Sequence, residues 1–177
     1  MKFSCLRPFK VAHRQIAFRD CTLKIKDGTT PTPKSLTVKL GNGSLTWDEK
    51  RNIEYILDRG NLDDVREGDQ VPVQFDLEGS FEKYTGSVGS STPTPDDALK
   101  NLGEASDWVS SDADACKPYA VDLELSIVPS GCTSDDKEVF TFSDFRWEDV
   151  KHNTKTGMLS VSGKCNIIRP SVVRQAQ

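Results

Sequence analysis

Leu36, Val38 and Leu40 alternate with Thr37 and Lys39, and Val71, Val73, Phe75 and Leu77 alternate in the same way with Gln74, Asp76 and Glu78. A period of two marks a strand with one buried face, so each run predicts a strand. The pattern recurs at Cys21, Leu23 and Ile25 within 16–27, at Tyr119, Val121, Leu123, Leu125 and Ile127 within 119–129, and at Leu159, Val161, Cys165 and Ile167 within 158–168. Residues 137–149 read as another strand, bent near Ser143 and Asp144, and Asn153 to Gly157 read as a turn. Gly41-Asn42-Gly43 suits a bulge or sharp bend. One short helix is expected near 94–105. Thr94 can cap it, Pro95 suits its first position, and Asp96 and Asp97 complement its dipole. Ala98, Leu99, Leu102 and Ala105 form its apolar stripe, which Gly103 ends or weakens. Many strands and one flanking helix predict a mainly β fold, a β-sandwich or barrel.

Between the runs at 34–40 and 71–77 lies an excursion dense in charge: Asp48, Glu49, Lys50, Arg51, Glu54, Asp58, Arg59, Asp63, Asp64, Arg66, Glu67 and Asp69. It exceeds an ordinary hairpin turn, and loops of this length are functional or disordered more often than not. Ile53, Tyr55, Ile56, Leu57, Leu62 and Val65 are embedded in it. Both signs of charge with spaced apolar anchors suit docking on another protein surface; the plainer reading is a solvated charged loop.

Size and charge narrow the classes. A chain of 177 residues predicts one domain, here 16–168, with arms at 1–15 and 169–177. Mean hydropathy is -0.51, and no apolar run approaches the length of a membrane span. The basic N-terminus lacks the apolar stretch of a secretory signal, so a cytosolic protein with reduced thiols is expected. Net charge is -4, unevenly spread: residues 1–26 are basic and the middle is acidic. Such asymmetry favours head-to-tail attraction between copies and offers no concentrated basic face for nucleic acid. Cys116, Cys132 and Cys165 with a histidine match no compact zinc spacing. His13 and His152 stand outside any catalytic motif, and Asp63/Asp64 and Asp135/Asp136 read as solvated turns. The sequence therefore predicts neither an enzyme nor a cofactor.

Three stretches carry a family resemblance. They are GNGSLTWDEKRNIEYILDRGNLDDVREGDQVPVQFDLEGSFE at 41–82, the passage DALKNLG…DW…DACKPYAVDLEL, and FTFSDFRWEDVKH…GKCNI near the end. In these the chain resembles the major tail tube proteins of tailed bacteriophages, over most of residues 14–168. The resemblance implies a β-sandwich or barrel that forms hexameric rings stacked into a hollow tube, found in the virion tail and assembled in the bacterial cytoplasm. It implies self-association, partners among tape-measure, tail terminator and baseplate or tail-tip proteins, and transient non-specific contact with DNA. Glu49, Arg51, Glu54, Asp58, Arg59, Asp63, Asp64, Arg66 and Glu67 would then belong to a contact loop between subunits and rings. Asp76, Glu78 and Glu82 become candidates for an acidic lumen, and the sequence leaves open which way that strand face turns. Two other readings stand beside it: a β-sandwich module that binds carbohydrate or a host surface, stacking sugars on Trp47, Trp108 or Trp147, and a hydrolase using an acidic pair.

Overall fold

The computed structural model describes residues 18–38, 40–80, 92–128 and 137–175. The strands are β1 (Cys21–Lys26), β2 (Ser35–Val38), β3 (Leu45–Asp48), β4 (Ile53–Asp58), β5 (Asn61–Glu67), β6 (Gln74–Ser80), β7 (Val121–Ile127), β8 (Lys137–Asn153), β9 (Met158–Cys165) and β10 (Ser171–Gln175). One helix, α1 (Pro95–Lys100), precedes β7. The fold is mainly β, as the alternation predicts.

β8 is the spine. Phe145 pairs with Val121 on one side and Cys165 on the other, and Thr141 likewise pairs with Glu124 and Ser171. β7 therefore runs along one edge of β8, and β9 and β10 run along the opposite edge. The hydrogen-bonded order is β2-β1-β7-β8-β9-β6-β3, all antiparallel, with β10 attached to β8. Its two ends, β2 and β3, are consecutive in the chain and joined by residues 39–44. That link curls the sheet toward barrel closure, since strands at the ends of the order are held close by a short connection. Gly43 sits at the tight point of this corner. A Cβ there would meet the carbonyl oxygen of Glu78 at 1.8 Å.

The bend in β8 falls where the sequence places it. Leu123 pairs with Phe142 and Val121 with Phe145, so Asp122 faces both Ser143 and Asp144 across a β-bulge. Asp144 takes φ 54, its amide donates to Asp122 Oδ1 at 3.0 Å, and Ser111 Oγ donates to Asp144 Oδ1 at 2.9 Å. The bend brings the ring of Phe142 to 4.9 Å and that of Phe145 to 5.8 Å from Phe75 on β6, both edge-to-face. Trp47 on β3 closes the cluster, 5.5 Å from both Phe140 and Phe142. Aromatic pairs in such geometry add about 0.5–1.5 kcal/mol each beyond area burial.

Several expectations need correction. The helix is capped as expected, with Asp97 N donating to Thr94 Oγ1 and Thr94 N to Asp97 Oδ2, both at 3.1 Å. It stops earlier, because Asn101 takes the left-handed conformation (φ 54) and turns Leu102 out to 55 % exposure. β8 runs past the expected end at 149 to Asn153, which places His152 in the strand. The tail at 169–177 is not simply an arm: Ser171–Gln175 extends the sheet as β10. The proposed arm at 1–15, His13, Glu82, Cys132, Asp135 and Asp136 lie outside the described residues.

Candidate interaction surface

The charged excursion is not a loop. Residues 53–67 form a two-stranded hairpin, β4 against β5, in a sheet of its own. Arg59 (φ 51) and Gly60 (φ 87) form its two-residue turn, and positive φ at both positions matches the right-handed twist of the flanking strands. At the base, Gly68 N donates to Asn52 O at 3.0 Å, so the chain leaves and returns at one point. Ile56 pairs with Asp64 and Leu57 with Leu62, which makes Asp63 the extra residue of a bulge.

Cross-strand partners share a face. One face carries Ile53, Tyr55, Leu57, Leu62 and Val65, with Glu67 opposite Ile53 at its base; the other carries Glu54, Ile56, Asp58, Asn61, Asp64 and Arg66. Every residue of both strands is exposed, and Tyr55, Leu57 and Leu62 exceed 60 %. A lone two-stranded hairpin is marginal in water, and the five apolar residues of this face stay between 39 and 63 % exposed. On the polar face Arg66 Nε bonds to Glu54 Oε2 at 2.7 Å, and at the base of the apolar face Arg51 Nε bonds to Glu67, opposite Ile53, at 3.2 Å. Exposed pairs of this kind hold register more than they stabilise. Asp58, Arg59 and Asp63, near the tip, make no ion pair among the described residues.

The structure thus brings Glu54, Asp58, Arg59, Asp63, Asp64, Arg66 and Glu67 onto one projecting element, with Glu49 and Arg51 at its base. Glu49 Oε1 accepts from Trp47 Nε1 at 3.1 Å. Asp63 and Asp64 lie in a strand rather than a turn. What the charge pattern hid is the apolar face: the odd positions of β4 mark half of it, and the bulge at Asp63 breaks the period in β5.

Asp76 and Glu78 stand elsewhere, on the polar face of β6. Asp76 lies between Thr46 and Ser162, and Glu78 opposite Ser160. With Ser44, Asp149 and Lys151 they border a shallow hollow of about 320 Å³. Lys151 is bonded to Asp149 at 2.7 Å, a contact that raises the lysine's pKa, and neither Asp76 nor Glu78 has an ion-pair partner among the described residues. The face is acidic and lined with hydroxyls.

Elsewhere titratable groups hold loops to the sheet. Asp112 accepts from Asp114 N at 3.1 Å and from Arg146 Nη2 at 2.7 Å, and Lys117 Nζ lies 3.1 Å away. Those contacts, the backbone one first, hold its pKa down at about 2. Burial, helped by the charges of Asp122 and Asp144, pushes the Cys165 thiol up to about 12. Cys116 and Cys165 are free thiols. No group of three or more His, Cys, Asp or Glu among the described residues is arranged to hold a metal. Trp108 is buried, Trp47 is half-buried against the core, and Trp147, 41 % exposed, has Lys100 Nζ 5.6 Å from its ring. Comparisons of the chain with protein-family models, with curated proteins and with solved structures each find no match.

Proposed function

We propose that this protein is a structural subunit that assembles with copies of itself, as a tail tube protein does, into stacked rings around a hollow tube. The observation that carries the reading is the β4–β5 hairpin with its bare apolar face. Burying a large apolar side chain stabilises by roughly 1.5–3 kcal/mol, so five on one face reward a partner that covers them. A hairpin that projects from one copy and docks on a different surface of the next makes a heterologous contact, which closes into rings or continues as filaments. Open edges support the same reading. β10 carries Val172 and Val173, both exposed, on a strand that pairs only with β8 among the described residues, and an open strand edge invites another strand.

The likeness at 41–82 supplies the tube, and the acidic face at Asp76 and Glu78 suits its lining. A negative wall repels phosphate and lets DNA pass without sticking. In that arrangement the tape-measure protein fills the tube before DNA does, and tail terminator and baseplate or tail-tip proteins close its ends. The work is structural, with no catalytic step and no cofactor. Negative-stain electron microscopy of the concentrated protein, with sedimentation velocity alongside, tests the proposal. Rings or hollow tubes are the expected result; a monomer at every concentration, even with a tail-tip initiator added, contradicts it.

A further inference from the structure

We infer that the hollow beside the base of the hairpin is the seat for the hairpin tip of a second copy of this chain. The inference rests on the assembly reading and adds to it the acceptor surface.

The hollow, about 500 Å³, is lined by Gln70, Pro72, Asn166, Ile167, Ile168 and Arg169. Ile168 is 44 % exposed, and the chain continues directly into β10 with Val172 at 40 % and Val173 at 46 %. The lining mixes Ile167, Ile168 and Pro72 with the polar Gln70 and Asn166 and holds one cation, Arg169, which is exposed and makes no ion pair among the described residues. The hairpin tip has the matching composition with the opposite sign. Leu57 and Leu62 face each other there, more than 60 % exposed, and the charges around them, Asp58 on the opposite face, Arg59 in the turn and Asp63 in the bulge, leave the tip net negative. Apolar contact with a flanking pair of opposite charges is the pattern that gives an interface both affinity and register.

Within one copy the two surfaces cannot meet. β4 and β5 run away from the base, carrying the tip roughly 20 Å from it at about 3.4 Å per residue. The hollow lies at that base, where Gln70 follows β5 closely. A tip that fills this seat therefore comes from another molecule, whose own tip stays free, and the contact propagates.

The test places a photo-reactive benzoylphenylalanine at Leu57 in the full-length chain, irradiates assembled protein and maps the cross-links by mass spectrometry. Cross-links to residues 166–173 of another copy are expected. Assembled protein that cross-links elsewhere, or nowhere, overturns the seat while leaving the assembly reading intact. A wild-type chain that never assembles overturns both. Charge reversal gives an independent reading. Arg169→Glu alone, and Asp58→Lys with Asp63→Lys, should each raise the critical assembly concentration tenfold or more, and their combination should restore at least part of the loss. Unchanged assembly in the separate variants, or simple addition of their defects, contradicts the seat.

Discussion

Tyr55 and Val65 stand directly opposite each other on the hairpin, 63 % and 48 % exposed, one on each strand of its apolar face. Residues so exposed contribute little to folding, since surface substitutions usually stay within about 0.5 kcal/mol. Replacing Tyr55 and Leu57 together by serine should leave the urea midpoint nearly unchanged and raise the concentration needed for assembly at least tenfold. Parallel urea melts and sedimentation velocity check this. Equal losses in both would mean that the face belongs to the fold instead.

Phe142 is the opposite case. It is fully buried and touches the rings of both Phe75 and Trp47, so it ties the two sides of the curled sheet. Phe142→Ala should cost about 3–5 kcal/mol, the range for a large aromatic removed from a packed core. Chemical denaturation measures it, and a loss under about 1 kcal/mol would refute this account of the core.

Asp27 is almost wholly buried, yet its carboxylate accepts from the backbone amides of Lys34 at 2.6 Å, Thr29 at 3.2 Å and Val109 at 3.3 Å. It fastens the turn after β1 to the segment before β7. Asp27→Ala strands those donors at about 1–3 kcal/mol for each one left buried and unpaired. A fall in stability of at least about 2 kcal/mol is expected, with faster amide exchange at Lys34 and Val109. Unchanged exchange there would show the loops held by other means.

Two carboxylates give opposite pH dependence. Asp112 is depressed to about 2, so its stabilising contribution is complete above the ordinary carboxylate value and disappears as pH falls through about 2. Asp122 is raised, first by burial and then by the charge of Asp144, so its ionised form opposes folding at neutral pH and that opposition lifts on acidification. Asp112→Asn should therefore destabilise at pH 7 by more than at pH 3. Asp122→Asn keeps an oxygen for Asp144 N, and should match or exceed the wild type at pH 7 while losing that advantage near pH 4. Urea midpoints across this range decide the matter, and a common slope for both variants would contradict the assignment.

The core was legible in the sequence because burial and alternation coincide in it. Leu23 and Ile25, Leu36 and Val38, Phe75 and Leu77, and Leu123 and Leu125 are all buried where a period of two places them. The bend at Ser143 and Asp144 was legible as well, since small and polar residues interrupt an apolar run there. The hairpin was not. Neither of its faces is buried in the chain, Ile56 sits on the charged side, and the bulge at Asp63 shifts the phase of β5. β10 was obscured for a related reason: Val172 and Val173 are consecutive and both exposed, so no alternation announces a strand. Pattern reading detects what a chain buries in itself and misses strands that it leaves exposed.

Removing the hairpin tests the central claim most directly. Asn52 and Gly68 are bonded at its base, so residues 53–67 can be replaced by a short Gly-Ser turn without straining the sheet. Sedimentation velocity and electron microscopy would then compare the shortened chain with the full one. A folded monomer that forms no rings or tubes, beside a full-length chain that does, is the predicted result. A shortened chain that assembles as readily as the full one would contradict the account.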